Sequence, residues 1–262
     1  MKEQQKPQDD DFTPELSPLL AHAIEFRRRL MVSLIAVFVG FVISYLFAQE
    51  IYGFLVRPLA LADSTGQHRM IYTGLAEAFV TYVKLSLWGG LMLAFPVIAW
   101  QIWAFVAPGL YKEEKNALLP FLIATPVLFV LGAALAYFFV FPMAWKFFLS
   151  FEVSGGAGML PIQMEARVSE YLSLCMTLLF AFGLAFEMPV FLVLLARVGL
   201  VTSQKLSQFR RYAIVLIFTM AAILTPPDLF SQIALALPMM LLYEISVFGA
   251  RWVEKKREHG NK

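Results

Sequence analysis

The sequence LMVSLIAVFVGFVISYLF, residues 30–47, decides the fold class, because it contains no charged side chain over eighteen consecutive positions. An α-helix needs about 20 mostly apolar residues to cross a hydrocarbon core about 30 Å thick. The whole chain agrees with this reading, since it is 60% hydrophobic and 15% charged, whereas soluble domains carry about 25% charged residues. The sequence therefore predicts an integral membrane protein.

Five further apolar runs predict an all-α, polytopic membrane protein with six transmembrane helices. These runs are residues 85–105, 118–141, 171–196, 213–224 and 229–250. The fifth run has only 12 residues, which span about 18 Å as a helix. Either this helix extends into residues 208–212, or the bilayer is locally thin. The two prolines of TPPD, residues 225–228, predict a tight hairpin before the last helix.

The distribution of basic residues predicts that both termini lie in the cytoplasm. With six spans, sixteen of the 21 lysines and arginines fall in segments on the side of the N-terminus, and four fall in the opposite segments. Lys84 lies at the outer end of the second span. Cytoplasmic segments carry an excess of Lys and Arg, so the bias predicts N-in, C-in topology.

Three regions follow from this topology. Residues 1–29 form a cytoplasmic N-terminal segment in which residues 20–27 predict an amphipathic helix along the interface. Residues 30–250 form the six-helix transmembrane domain, and residues 251–262 form a basic cytoplasmic tail. The N-terminus lacks the basic start and early apolar stretch of a secretory signal, so we expect the first membrane helix to be retained.

Motifs of common enzyme classes are absent from the sequence. It contains no GxxxxGK[ST] phosphate loop, no HExxH zinc motif and no GxSxG elbow. The single cysteine and the three widely separated histidines do not have metal-ligand spacing. We therefore expect a protein that is not an enzyme and that needs no cofactor and no metal. The net charge of +2 gives no reason to expect a nucleic-acid partner.

Glu187 is a candidate intramembrane polar site, because it lies inside the fourth apolar run. A charge at the middle of a membrane helix costs about 2.5–3.5 kcal/mol on insertion scales. Pro189 also frees the carbonyl of Ala185, four residues earlier, which favours a wet or protein-lined pocket. A structural residue satisfied by another helix, or a neutral buried acid, is the alternative. A proton-coupled small-solute transporter using Glu187 is an alternative function, although the sequence shows no internal repeat.

Other polar residues are candidates with an ordinary alternative. Glu25 precedes the first span, and Glu113 and Glu114 lie between the second and third spans; each can also be a surface charge or an ion pair with a neighbouring Arg or Lys. Thr225 and Gln232 can bond another membrane helix, either within this protein or in a partner.

Five segments, in this order, resemble TatC, the large polytopic subunit of the twin-arginine protein translocase. They are residues 21–27 (AHAIEFR), 101–114 (QIWAFVAPGLYKEE), 137–142 (YFFVFP), 181–189 (AFGLAFEMP) and 224–232 (LTPPDLFSQ). The resemblance covers residues 14–254. It implies a receptor that binds signal peptides bearing two consecutive arginines and exports folded proteins across the cytoplasmic (inner) membrane, driven by the proton-motive force.

The resemblance also implies site residues. The arginine pair would bind Glu25 and Glu114, with Phe105 nearby and Glu113 as an adjacent acid. Guanidinium groups pair bidentately with carboxylates in a geometry that lysine cannot copy.

The remaining positions follow from the same resemblance. Glu187 would lie on a concave intramembrane face. The outer side would be supported structurally by Pro58 and Asp228. Single-span TatA/TatB-type subunits would dock near Thr225 and Gln232 in a hetero- and homo-oligomer. The last two helices would be too short for an ordinary bilayer, which implies local thinning.

Overall fold

A computed structural model of the chain describes residues 18–63, 69–106, 119–153, 160–225 and 229–260. Within these ranges the fold is helical, with two isolated β-bridges between loop segments. The helices are α1 (Pro18–Leu46), α2 (Ala48–Ala62), α3 (Glu77–Val106), α4 (Leu119–Leu135), α5 (Phe141–Leu149), α6 (Val168–Ala185), α7 (Met188–Val198), α8 (Ser203–Gln208), α9 (Arg210–Leu224) and α10 (Leu229–Gly260). A π-helical turn, Ala136–Val140, joins α4 to α5. The predicted all-α class is confirmed.

Among the described residues, five segments are long and apolar enough to cross a membrane, and α9 is the sixth and shortest apolar segment. The five are His22–Leu46, Glu77–Phe105, Pro120–Leu149, Val168–Val198 and Leu229–Lys256. Helix α9 has 15 residues and begins at Arg210, so the predicted extension is correct in part. At 1.5 Å per residue it still spans only about 22 Å, less than an ordinary hydrocarbon core.

Two helices continue past the predicted limits of the transmembrane domain, and the three predicted regions themselves stay predictions. Helix α1 runs without interruption from Pro18 to Leu46, so residues 20–27 are its first turns and not a separate interfacial helix. Helix α10 has 32 residues, so it is not short, and the basic tail continues the helix as far as Gly260.

The resemblance implies that the last two helices are too short to cross an ordinary bilayer, and this applies only to the outer part of α10. Glu244 on α10 pairs with Arg210, the first residue of α9, at 2.7 Å. Leu229 and Glu244 are therefore separated by about 22 Å of helix, which equals the length of α9. The charged pair marks a common inner level for the two helices.

Contacts between helix ends reproduce the predicted two-sided arrangement. On one side, the ring of Phe121 at the start of α4 lies 5.9 Å from that of Trp103 at the end of α3. The guanidinium of Arg197 lies 5.8 Å from the same Phe121 ring. On the opposite side, Phe147 of α5 contacts Phe230 of α10, with ring centroids 5.5 Å apart. These contacts fit six crossings with N-in, C-in topology.

Helices α1 and α3 approach closely through glycines. A Cβ on Gly40 of α1 would lie 2.6 Å from the carbonyl oxygen of Gly90 on α3. A Cβ on Gly89 would lie 2.8 Å from Oγ of Ser44. Small residues allow such backbone contact between membrane helices. Gly40 and Gly90 therefore fix the separation of the two helices whose inner ends carry the candidate site.

The outer end of the bundle is fastened by two tyrosines. Pro58 lies inside α2 and cannot donate an N–H to the carbonyl of Phe54, four residues earlier. The Tyr137 hydroxyl donates to that carbonyl at 2.8 Å, and the Phe54 and Tyr137 rings stack at 4.2 Å. The buried Tyr171 hydroxyl donates a hydrogen bond to the Leu55 carbonyl at 2.8 Å. Pro58 thus leaves the Phe54 carbonyl free inside α2, and Tyr137, 83 residues away in the sequence, donates the hydrogen bond that it lacks.

A second outer fastening joins two loops at Glu77, the first residue of α3. Its carboxylate accepts hydrogen bonds from the Thr73 and Gly74 N–H groups at 2.8 and 3.1 Å and from the Ser169 hydroxyl at 2.6 Å. Arg167 lies 3.6 Å from the same carboxylate. Backbone bonds between Ile71 and the 166–168 segment complete the connection. We call the contacts around Phe54, Leu55 and Glu77 the outer cap.

Candidate functional site

The inner ends of α1 and α3 bring together two of the residues that the sequence indicates, Glu25 and Phe105. The Phe105 ring lies 4.6 Å from the His22 imidazole and 5.6 Å from the Phe26 ring, which it meets edge-on. His22 and Phe26 lie on either side of Glu25 in the α1 sequence. The half-buried Phe105 ring therefore packs against the helical turn that contains the candidate acid, Glu25.

The Glu25 carboxylate is held by Arg29, one helical turn along α1. Arg29 donates to Oε1 of Glu25 from Nη2 at 2.5 Å and from Nε at 3.0 Å. Its third nitrogen, Nη1, lies 3.5 Å from Oε1 of Gln101 on α3. Side chains four residues apart are neighbours on a helix surface, so this pairing follows directly from the sequence spacing. The ion-pair alternative for Glu25 is thus what the structure shows.

The pair remains accessible at the surface. The Glu25 side chain is 34% exposed and that of Arg29 is 23% exposed. Both bonds from Arg29 go to one carboxylate oxygen. Within the described ranges, the other oxygen, Oε2, has no hydrogen-bond partner. The arrangement offers an accessible carboxylate oxygen on the same helical turn as His22 and Phe26, which contact the Phe105 ring, and this suits a cationic side chain of a ligand.

The two other acids predicted for this site, Glu113 and Glu114, lie outside the described residues. The last described residue before them is Val106, at the end of α3. Asp228, predicted for the outer side, also lies outside the described residues. The roles of these three acids stay predictions.

Glu187 lies at a break in the fourth span, between the end of α6 at Ala185 and the start of α7 at Met188. Its N–H donates to the Leu184 carbonyl at 3.0 Å, in a tighter turn than that of an α-helix. Its carboxyl lies beside Thr125 of α4. Oxygen Oε1 is enclosed and has no hydrogen-bond partner among the described residues. An enclosed acceptor of this kind favours a water or a polar ligand group at this position.

Trp103 connects this intramembrane position to the inner end of α3. Its indole N–H donates to Oγ of Thr125 at 3.1 Å, and Thr125 is 5% exposed. Trp103 lies two residues before Phe105, so the hydrogen bond ties the helix that carries Phe105 to the helix that borders Glu187. Residue spacing gave no sign of this link, because the two partners are 22 residues apart on different helices.

The other predicted polar residues are engaged within the chain. The Thr225 hydroxyl donates to the Ala221 carbonyl at 2.8 Å. The Gln232 amide of α10 donates to the Phe218 carbonyl of α9 at 3.3 Å. Pro58 is buried in α2, where it frees the Phe54 carbonyl as described above. Partner docking at Thr225 and Gln232 stays a prediction. The Gln232 bond joins α10 to α9, whereas the Thr225 bond is local to the end of α9.

The sequence allowed an ion pair between Glu25 and a neighbouring Arg or Lys without singling out Arg29, and it gave no indication that Gln101 lies close to this pair. The spacing Glu25–Arg29 indicates the ion pair once residues 20–29 are treated as helix. Gln101 lies in a quoted segment, but its approach to Arg29 depends on the packing of α1 against α3. Glu77 gave no signal, because its partner Ser169 lies 92 residues away.

Comparison with known proteins shows the same relationship over nearly the whole chain. Residues 21–238 match the family model described as Sec-independent protein translocase protein (TatC). The Magnetococcus marinus protein named Sec-independent protein translocase protein TatC is 51% identical over 242 residues, which are 92% of this chain and 86% of that protein. The Escherichia coli K12 protein of the same name is 41% identical over 238 residues, which are 91% and 90% of the two chains.

A solved structure agrees with the sequence relatives. The crystal structure described as the twin-arginine translocase receptor TatC superposes with a TM-score of 0.75 at 38% identity, covering 89% of this chain and 99% of that one. The fold, the order of the five segments and these relatives agree, so the chain belongs to the TatC family of Sec-independent protein translocase proteins.

Proposed function

We propose that this protein is the signal-peptide receptor and assembly core of the twin-arginine translocase. Its family membership makes it a multi-pass membrane subunit of a Sec-independent protein translocase, which is a transport component. The receptor role, the arginine specificity and the use of the proton-motive force go beyond that statement.

One observation carries the receptor role. Glu25 lies at the inner ends of α1 and α3, is partly exposed, and shares its helical turn with His22 and Phe26, which contact the Phe105 ring. Among the described residues, its Oε2 oxygen has no hydrogen-bond partner. A guanidinium group can donate to a carboxylate and lie against an aromatic face at the same time. The second acid of the proposed site is Glu114, with Glu113 as the adjacent alternative. Glu114 is eight residues beyond the end of α3, so the connecting chain can reach up to about 28 Å.

The proposed mechanism proceeds from the surface into the membrane. Glu25 and Glu114 each bind one arginine of the signal peptide. The apolar stretch of the signal then lies against the helices near Glu187. Single-span TatA/TatB-type subunits dock at α9 and α10, near Thr225 and Gln232, and assemble around the occupied receptor. The proton-motive force then drives passage of the folded cargo.

Family membership favours this mechanism over solute transport through Glu187. The two functions differ in a simple observation. A receptor purified without partner subunits should bind signal peptide and should not accumulate small solutes in proteoliposomes. Proton-coupled solute uptake by the isolated protein would instead support the transporter.

The decisive experiment measures binding of a signal peptide with an Arg-Arg pair to the purified full-length protein in detergent. We expect the Lys-Lys peptide to bind at least about tenfold more weakly, because lysine donates no planar fork. Glu25→Ala and Glu114→Ala should each weaken Arg-Arg binding by a similar factor, and Glu113→Ala tests the adjacent acid. Glu50→Ala, which removes an exposed acid of α2 at the opposite end of the bundle, is the matched control.

The outcomes separate the possibilities. Loss of binding in Glu25→Ala and in one of the two loop variants supports the receptor and identifies the second acid. Equal binding of both peptides, unaffected by any of these substitutions, would mean that the acids are ordinary surface charges. Phe105→Ala should weaken binding while retaining the preference for arginine, because the ring supports the site without choosing the cation.

A further inference from the structure

The Arg29 guanidinium already makes the interaction that the proposed function assigns to an incoming arginine. It places two N–H groups on Oε1 of Glu25, at 2.5 and 3.0 Å, without help from a ligand. Charge-assisted bonds of this kind are the strong ones among protein hydrogen bonds. Arg29 is 23% exposed, so it is held against the acid and is not a solvated side chain.

The position of Arg29 has a direct consequence for any ligand of Glu25. A guanidinium that binds both carboxylate oxygens needs Oε1, which Arg29 occupies. A cation that binds only Oε2 meets a carboxylate whose charge is already offset by its neighbour. Either way, a ligand gains less from Glu25 than it would from an unpaired acid.

We propose that Arg29 is a resident competitor for Glu25, and that arginine recognition at this acid is an exchange of one guanidinium for another. This inference rests on the proposed function, because it assumes that Glu25 binds a signal-peptide arginine. It adds to that site a residue that sets the affinity threshold for every cationic ligand of Glu25. The competitor raises the threshold for binding, so that lone lysines and other scattered cations bind poorly at Glu25.

Gln101 provides an acceptor for the displaced side chain. Its carbonyl oxygen lies 3.5 Å from Nη1 of Arg29, a long contact that has room to shorten. When the Arg29 guanidinium leaves Glu25, it can remain hydrogen-bonded to the neutral Gln101 carbonyl on α3. The exchange therefore does not leave a partly buried donor without an acceptor. The cost of displacing Arg29 is thereby reduced for a ligand that supplies equivalent bonds to Glu25.

The neighbouring arginine gives a matched control for charge. Arg28 lies one residue before Arg29 on the same helix and is exposed. Within the described part of the chain it makes no hydrogen bond or ion pair. Arg28→Gln and Arg29→Gln therefore remove the same charge from the same turn, but only the second removes the competitor.

The test measures the affinity of the full-length protein in detergent for Arg-Arg and Lys-Lys signal peptides. We expect Arg29→Gln to tighten both peptides about three- to tenfold beyond the effect of Arg28→Gln, because a charge-assisted pair is removed in addition to a charge. Arg29→Lys should give a smaller gain, since lysine is a poorer competitor but keeps the charge. Helical circular dichroism and an unchanged elution volume confirm that each variant is folded.

A second measurement follows Arg29 directly. In wild-type protein carrying ¹⁵N-labelled arginine, the Nε–H resonance of Arg29, assigned by its loss in Arg29→Lys, should shift on addition of the Arg-Arg peptide. Its solvent exchange should become faster, because the proton leaves Glu25. A structural role for Arg29 would leave this resonance unchanged.

The failures of the two proposals are distinguishable. Weaker binding in Arg29→Gln would overturn the inference, since Arg29 would then position Glu25. Equal effects of Arg28→Gln and Arg29→Gln would overturn it as well, since only charge would matter. In both cases, a loss of peptide binding in Glu25→Ala would still support the proposed receptor function. Unchanged binding in Glu25→Ala would overturn both proposals at this acid.

Discussion

The outer cap and the Glu25 carboxylate at the inner ends of α1 and α3 are held by different kinds of contact. In the outer cap, hydrogen bonds join residues that are far apart in sequence, such as Tyr137 with Phe54 and Ser169 with Glu77. At the inner ends, Glu25 is paired with a residue one turn away on its own helix. Contacts between distant segments hold a fold together, whereas a local pair can open without moving a helix. We expect this difference to separate a structural end from the end at which the proposed exchange of ligands takes place.

The largest expected effect comes from changing the glycine contact that sets the spacing between α1 and α3. Gly40→Ala places a Cβ about 2.6 Å from the Gly90 carbonyl oxygen, so the helices must move apart. We expect a loss of about 1–3 kcal/mol of stability, as for other overpacked sites. Weaker binding of the Arg-Arg peptide should accompany it, because Glu25 and Phe105 lie on the two separated helices. Thermal unfolding in detergent and peptide titration measure these effects.

Gly53→Ala is the matched control for this substitution. A Cβ on Gly53 would have no atom within 4 Å, and alanine in a helix interior is favoured over glycine by about 0.5–1 kcal/mol. This control should be neutral or stabilising and should bind peptide normally. If Gly40→Ala behaves like Gly53→Ala, the glycine contact does not set the spacing of the site.

A substitution in the outer cap should lower the free energy of unfolding without changing peptide binding at the inner ends of α1 and α3. Tyr137→Phe leaves the Phe54 carbonyl without its donor, and loss of an intramolecular hydrogen bond costs about 0.5–1.5 kcal/mol. Peptide binding at the inner end should stay unchanged. In a Pro58→Ala background the alanine N–H can bond the Phe54 carbonyl, so Tyr137→Phe should cost less there. A double-mutant cycle measures this coupling, and equal costs in the two backgrounds would contradict the role assigned to Pro58.

The sequence predicts local features of this fold better than it predicts contacts between distant segments. Six apolar runs and the charge bias are enough for the class and topology, because membrane insertion depends on each segment separately. The break at Glu187 is also local, since Pro189 interrupts its own helix. The bond from Tyr137 to Phe54 joins residues 83 positions apart, and no periodicity specifies such a pair.

In the candidate site as well, local features can be predicted from the sequence and contacts between distant segments cannot. The grouping of Glu25 with Phe105 is implied by the resemblance to a known family, and their proximity depends on the packing of α1 against α3. The pairing of Glu25 with Arg29 depends only on helical spacing and could be predicted from the sequence once the helix was extended to Pro18. The sequence predicts an interfacial helix over residues 20–27 that is separate from the span beginning at Leu30, whereas the two are one continuous helix.

A smaller, local effect is expected from the Glu77 fastening. Glu77→Gln weakens the acceptor that serves Thr73, Gly74 and Ser169, so the two outer loops should separate more often. Hydrogen exchange of the Ile71 and Val168 amides, which form the backbone bonds between these loops, should become faster. Glu165→Gln is the control, because Glu165 is exposed and its contact with Arg69 is 3.6 Å long. Peptide binding should not change in either variant.

The smallest expected effect in a thin membrane is removal of the pair between Arg210 and Glu244. Both side chains are about half exposed, and exposed ion pairs contribute about 0–1 kcal/mol. If this pair marks the inner membrane edge, Glu244→Gln should cost more as the lipid chains lengthen, because Arg210 is left nearer to hydrocarbon without a partner. Equilibrium unfolding in bilayers of increasing thickness measures this trend. A cost that does not depend on thickness would place the inner edge elsewhere and remove the support that the pair gives to local thinning at α9 and α10.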